Sequence, residues 1–227
     1  VYRTPSSREA GIWASSGPAV DGAGNVYVSV GNGAATRPPY DQSDSVLKLR
    51  GNRVTSLFAP SSWARENASD LDLGSTGPIL VTALGQRWVF VDGKAGDGYL
   101  LHRSHLGGRG GQAATMTGCS SWGGTAARGR TIYVPCSEGM RAVRVVRGPR
   151  LHVLWRNSSV GYGASPVLGG GALWAIDNGR LMRLNPATGH TLRTIAVGNC
   201  PHFATPTLHG SRVIVGTLSG LVAVRTS

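Results

Sequence analysis

Mapped by where its apolar side chains fall, the chain is a succession of short strands. A small residue, often followed by proline, opens an apolar pair, and a glycine-rich turn then leads into a run of β-branched and aromatic residues. Five segments share this order: "SSGPAVDGAGNVYVSVGNG", "GSTGPILVTALGQRWVFVDG", "WGGTAARGRTIYVPCSEG", "YGASPVLGGGALWAIDNG" and "FATPTLHGSRVIVGTLSG". Such runs, bounded by Gly, Asn and Asp, predict two strands, A and B, of a hairpin. Four of the five continue into a second pair, strands C and D: "SDSVLKLRGNRVTSLFA", "DGYLLHRSHLG", "EGMRAVRVVRGPRLHVLW" and "GRLMRLNPATGHTLRTIAV". The fifth runs out at "GLVAVRTS", which supplies a strand C and no strand D.

The residues that open strand A are Pro18, Pro78, Thr125 (in the place of proline), Pro166 and Pro206, with spacings of 60, 47, 41 and 40. Periods in this range indicate four-stranded units set as the blades of a propeller. One small twisted sheet cannot bury both its faces, whereas sheets stacked around an axis bury each against its neighbours. The expected fold class is therefore all-β: a β-propeller with about five blades, in one domain over 1–227, at roughly 13–63, 73–112, 119–157, 162–198 and 202–227. Residues 1–12 stand where a preceding strand D belongs. Pairing of "VYR" with the fifth unit would close a five-bladed ring, while two cut edges would make the chain an arc of a longer one. The second is the expectation, because open sheet edges and a start at Val1 rather than Met are what truncation leaves.

Composition narrows the class. With 227 residues and 41% hydrophobic content, the chain can fill a real core. Its 34 glycines and 12 prolines are spread as punctuation, which suits turn-rich β structure and argues against disorder. No stretch of apolar residues is long enough for a transmembrane helix. The net charge is +12, and only two of the 23 basic residues are lysines, Lys48 and Lys94. Codon bias alone yields arginine richness, but the resulting field also attracts polyanions such as anionic lipid or wall polymers. The densest basic patch, Arg128, Arg130, Arg141, Arg144, Arg147, Arg150 and Arg156, is opposed locally by Glu138. It has no aromatic stacking surface and no recognised nucleic-acid module, so nucleic acid is not the expected partner.

The stretch "GRLMRLNPATGHTL" resembles the quinoprotein repeat, Gly-x-Leu-x-Ala-Leu-Asp-x-x-Thr-Gly-Lys, with matches at Gly179, Leu181, Leu184, Pro186, Thr188 and Gly189. "GIWASSGPAVDGAGNVYVSVGNG" and "DLDLGSTGPILV" are similar to blade starts of pyrroloquinoline quinone (PQQ) dehydrogenase propellers. The resemblance covers nearly the whole chain and implies a PQQ-like propeller of seven or eight blades, of which about five are present. That superfamily holds secreted dehydrogenases and non-enzymatic members such as an outer-membrane assembly lipoprotein. Asn185 replaces the usual Asp, no tryptophan follows Gly189, and the adjacent cysteine pair carried by many alcohol-oxidising members is absent.

Several residues are candidates for chemistry. "RENASDLDLG" holds Glu66, Asn67, Asp70 and Asp72 in the loop before the second strand A. In an extended segment Asp70 and Asp72 face the same way, so with the Asn67 amide they would suit a hard cation such as Ca²⁺; the alternative is Asx residues capping loop backbone. Cys119 and Cys200 each lie six residues before a strand A anchor, and Cys136 ends a strand B. The antiparallel A–B hairpin brings Cys119 beside Cys136, so a disulfide and an oxidising compartment are expected, with Cys200 left over and three buried thiols as the alternative. Trp13 and Trp122 suit either inter-blade packing or a flat floor for a planar cofactor. His202, beside Phe203, points to the same loops. "SHLGGRGGQ" offers backbone N–H groups and Arg109 to an anion such as a PQQ carboxylate, or is a plain inter-blade loop. The sequons at Asn67 and Asn157 matter only in a glycosylating host, and "GIWASSG" is a blade start rather than a serine nucleophile with assigned partners.

Two functions follow. The first is a non-catalytic extracellular or envelope propeller that binds a protein or an anionic envelope ligand. The second is a PQQ- and Ca²⁺-dependent alcohol dehydrogenase, with Asp70 or Asp72 as metal ligand or base and Arg109, Trp122 and Trp13 around the cofactor.

Overall fold

In a computed structural model, residues 1–13, 16–161 and 165–227 are described. The serine at position 15 of "GIWASSG" and the "YGA" that opens the fourth segment lie outside them. The first sheet is built from β1 (Ala19–Val20), β2 (Val26–Val30), β3 (Ser45–Arg50) and β4 (Arg53–Ala59). After it comes the one helix among the described residues, α1 (Trp63–Ala68). The second sheet has β5 (Ile79–Ala83), β6 (Gln86–Asp92) and β7 (Gly98–His102); the chain then makes a two-residue strand β8 (Gly108–Arg109) before completing the sheet with β9 (Ala114–Met116). The third holds β10 (Ala126–Arg128), β11 (Thr131–Cys136), β12 (Gly139–Val146) and β13 (Arg150–Asn157). The fourth holds β14 (Val167–Gly169), β15 (Ala172–Asp177), β16 (Arg180–Leu184) and β17 (Thr191–Ala196). The fifth has three strands, β18 (Thr207–His209), β19 (Arg212–Thr217) and β20 (Gly220–Arg225).

Within each sheet the strands pair antiparallel in chain order. The A–B and C–D turns therefore lie at one end of every sheet, and the B–C and D–A connections at the other, here called the mouth. β8 departs from this order. It pairs parallel with β4 through Phe58 and Ala59, so a loop of the second unit extends the first sheet at its outer edge.

Side-chain alternation explains the stacking. In β6, Trp88 and Phe90 pack with Ile132, Val134, Val143 and Val145 of the third sheet. Val89 and Val91 turn the other way, to Tyr27, Val46 and Phe58 of the first. The same division puts Tyr133 and Ala142 against Leu173, Ala175 and Met182, and Trp174 and Ile176 against Val213 and Val215. Each fully buried large apolar side chain contributes roughly 1.5–3 kcal/mol. The outer face of the first sheet is covered by the N-terminal segment: Ala10 and Tyr2 lie on Val28, Leu47 and their neighbours. Ala10 N–H donates to Asn32 O at 2.7 Å, and Gly31 N–H to Gly11 O at 2.9 Å. Residues 1–12 thus pack on the first sheet, with one isolated bridge from Glu9 to Gly33, and none of them joins the fifth among the described residues.

The Asn-Pro-Ala-Thr-Gly turn between β16 and β17 is an inter-sheet joint. Asn185 Oδ1 accepts Ala187 N–H at 2.9 Å, which an amide does as well as the Asp of the quinoprotein repeat. Gly189, at φ 74°, closes the turn by donating to Asn185 O at 2.8 Å. Trp155, from β13 of the third sheet, lies against Gly189 and donates its indole N–H to Pro186 O at 3.1 Å. A Cβ on Gly189 would stand 2.6 Å from Trp155 Cδ2, whereas one on Gly210, at φ 55°, would meet nothing within 4 Å. Gly210→Ala should therefore cost only the left-handed backbone penalty, about 1 kcal/mol. Gly189→Ala should cost about 1–3 kcal/mol more in urea denaturation, because Trp155 must also move. Equal losses at the two positions would show that Trp155 does not hold this turn.

Candidate functional site

At the mouth, the loop after β4 forms α1, which buries Trp63, Glu66 and Asn67 on one face, as three- and four-residue spacing dictates. Asn67 clasps the 31–44 loop of the first sheet. Its Oδ1 accepts Gly33 N–H at 3.0 Å, and its Nδ2 donates to Ala35 O and Ser43 Oγ, both at 2.7 Å. Glu66 accepts the Ser62 hydroxyl and faces Asp44, another fully buried carboxyl. Asp44 adopts a left-handed φ of 45° and accepts Leu73 N–H at 2.8 Å. Burial first, then the Glu66 carboxyl, hold Asp44 well above the usual carboxylate range. Away from water, a second carboxyl in contact disfavours the charged form of the first.

Asp70 and Asp72 converge, but not as alternate residues of an extended segment: Asp70 sits in the turn after α1 at a left-handed φ of 53°, and what the two carboxylates meet is Lys94. Its Nζ lies 3.1 Å from Asp70 Oδ1 and 2.7 Å from Asp72 Oδ2. Asp72 is fully buried, and its other oxygen accepts the Ser75 N–H at 2.8 Å. Burial works against the Lys94 ammonium, but Asp72 and then Asp70 outweigh it and raise its pKa. A Ca²⁺ ion needs six to eight oxygens. With an ammonium between the two carboxylates and the Asn67 amide committed to loop backbone, these residues as arranged do not make that cage. Among the described residues no group of three or more His, Cys, Asp or Glu side chains is placed to hold a metal ion.

The residues assigned to a planar cofactor are dispersed. Trp13 is 55% exposed and lies on the backbone of Gly31, where a Cβ would be 2.6 Å from its Cη2. Trp122 is half-buried in the loop between β9 and β10, on the inner, strand-A side of the third sheet. Arg109, on β8, stands at the outer edge of the first sheet, 5.8 Å from the Tyr40 ring centroid; Tyr40 in turn packs edge-on against Trp63 at 4.8 Å. Sheet order thus sets Arg109 and Trp122 on opposite edges of different sheets. Between the strand-A ends small described residues meet: Ser16 packs on Gly77 and Gly124, and Gly124 N–H donates to Ser165 Oγ at 2.8 Å. His202 packs edge-on against Phe203, with ring centroids 4.1 Å apart.

Cys119 and Cys136 form a disulfide, with Cα atoms 4.8 Å apart, tying the D–A loop to the end of β11. Cys200 is a free, half-buried thiol whose pKa burial pushes up.

Sequence reasoning did not single out Asp44, Lys94 or Asp92. Asp92 ends β6 and is fully buried. Burial pushes its carboxyl up to about 7, offset in part by the Ser121 hydroxyl. The one available signal was Lys94 itself, one of two lysines in an arginine-rich chain. Acids at the end of an apolar strand otherwise look like ordinary turn residues.

No family model matches the chain, and no curated protein does. Solved structures do. BamB from Moraxella catarrhalis superposes with a TM-score of 0.63 at 14% identity, over 100% of this chain and 65% of BamB. The quinohemoprotein alcohol dehydrogenase of Comamonas testosteroni gives 0.67 at 13% identity, over 94% of this chain and 45% of the enzyme. This is the fold of the PQQ-type β-propellers. A second quinohemoprotein alcohol dehydrogenase, ADHIIG of Pseudomonas putida HK5, agrees, with a TM-score of 0.63 at 12% identity over 90% of this chain and 44% of its own. The propeller chain therefore spans less than two thirds of BamB and under half of either enzyme, as expected for part of a longer ring. Among the described residues no helix is long and apolar enough to cross a membrane.

Two outcomes follow from the buried charges. The folded propeller holds the Asp92 proton up to about pH 7, whereas an unfolded chain releases it near pH ~4. Its contribution to stability is therefore lost as pH rises between those values and is flat above them. Asp92→Asn should reduce this decline and leave the protein more stable at pH ~8, by on the order of 2 kcal/mol, in denaturation series at several pH values. Lys94→Met should destabilise by about 3–5 kcal/mol, since it strands the Asp72 carboxylate, while Asp70→Asn at the exposed end of the pair should cost under about 1 kcal/mol.

Proposed function

We propose that this chain is a non-catalytic PQQ-like propeller, a binding or scaffold module of the cell envelope or extracellular space that holds a protein or an anionic envelope ligand. The observation that carries this reading is the Lys94 ammonium seated between Asp70 and Asp72. It fills the space between the two carboxylates that the dehydrogenase reading assigns to Ca²⁺ or to base catalysis, which supports a structural role for them. Exposed apolar side chains at the mouth, Ile12, Trp13, Phe203 and Leu218, support a protein partner there. An intact disulfide suits an oxidising compartment, and the +12 charge favours an anionic ligand or surroundings.

The enzyme reading requires stoichiometric PQQ uptake with Ca²⁺ and alcohol-dependent dye reduction. Spectroscopic titration of the full-length protein with both should show neither. Crosslinking of the protein in its native envelope should recover a partner that Asp70→Asn retains and the pair Trp13→Ser with Phe203→Ser loses. Stoichiometric PQQ binding, abolished by Asp70→Asn, would overturn the scaffold reading.

A further inference from the structure

At the end of the sheets away from the mouth, a groove of about 380 Å³ opens between the first and second sheets. Lys48 of β3 lines one wall, beside the β1–β2 turn that carries Asp21 and Asn25. Arg87 at the start of β6, with His102 and Arg103 at the end of β7, lines the other. The fold holds the Lys48 ammonium and fixes the backbone that carries Arg87 and Arg103. Lys48 Nζ donates to Arg103 O at 3.1 Å, Arg103 N–H donates to Arg87 O at 3.0 Å, and the His102 ring packs on Trp88 with centroids 4.4 Å apart.

The charges in this groove do not cancel. Ion pairs among the described residues engage Lys94, Arg141 and Arg180, and none involves Lys48, Arg87 or Arg103. Asp21 is the one carboxylate on the lining. Its oxygens accept five hydrogen bonds, from Ala23 N–H, Asn25 N–H, Asn25 Nδ2 to both oxygens, and the Tyr27 hydroxyl. They are already satisfied by their own turn, which leaves three cations facing one committed anion. Guanidinium groups are suited to two-point contact with tetrahedral oxyanions, and a lysine ammonium adds a point charge.

We infer that this groove is an anion site for a phosphate group, presented either as a free phosphate or monoester or as the headgroup of an anionic phospholipid. It lies at the opposite end of the sheets from the mouth and does not depend on the function proposed there.

Isothermal titration at fixed ionic strength tests it with two probes, inorganic phosphate and vesicles of phosphatidylglycerol in phosphatidylcholine. Saturable binding of one phosphate per chain is expected, weakened on the order of tenfold by Arg87→Gln and by Arg103→Gln, and unchanged by Arg37→Gln in the mouth loop of the first sheet and by Arg193→Gln on the fourth sheet. Vesicle binding with the same dependence on variants would identify lipid as the source; phosphate binding alone would identify a soluble one. No saturable binding of either probe overturns the site. So does binding that all four arginine variants weaken alike, since that is the whole-molecule field and not this groove. Circular dichroism of each variant separates a lost site from a lost fold.

Discussion

The sheets flanked on both sides in this propeller are apolar on both faces, and that constraint decides almost everything else. A strand such as β6 alternates Trp88 and Phe90 with Val89 and Val91, so no orientation of one sheet alone keeps its apolar side chains from water. Only a neighbour on each side does. The outward face of the first sheet meets the same requirement differently, through Tyr2 and Ala10 of the N-terminal segment. Stability therefore resides in the interfaces between sheets, and each sheet is a shared resource of its two neighbours.

Polar groups are admitted where the sheets give way to loops, and there they behave as structure. Asn67 pins one loop to a helix, Asp72 is neutralised by Lys94, and burial beside Glu66 raises the pKa of Asp44. These are long-range contacts between loops that have no regular backbone ladder of their own, so side chains supply the missing hydrogen bonds. The cluster looks like a catalytic centre in composition for a simple reason. Carboxylates and amides are the groups that can satisfy both loop backbone and metal ions.

Much of the frame was legible in the residues because it is local. Pro18, Pro78 and the later anchors mark strand starts through backbone geometry, and the β16–β17 turn is written in Asn185 to Gly189. The Cys119–Cys136 bridge followed from hairpin register alone. What stayed hidden depends on residues far apart in the chain. Asp70, in a turn at a left-handed φ of 53°, breaks the extended alternation expected of it, and nothing near it or Asp72 in the chain announces that Lys94 will stand between them. Arg109 sits in a glycine-rich loop that looks free to cradle an anion, and the pairing of that loop with β4 is invisible without the neighbouring sheet.

That stitched loop has a mechanical consequence. By lending β8 to the edge of the first sheet, the second unit joins its neighbour through backbone hydrogen bonds as well as side-chain packing, and Lys48 reaching Arg103 O adds a further tie. At the later junctions no strand of one sheet pairs with a strand of the next among the described residues, and the backbone bonds that cross, such as Cys119 N–H to Gly96 O and Ser137 N–H to Ser120 O, are made by the connecting loop. Under load, or in the first excursions towards unfolding, the first two blades should therefore move and open as one body, with the weaker seams giving way further along the arc.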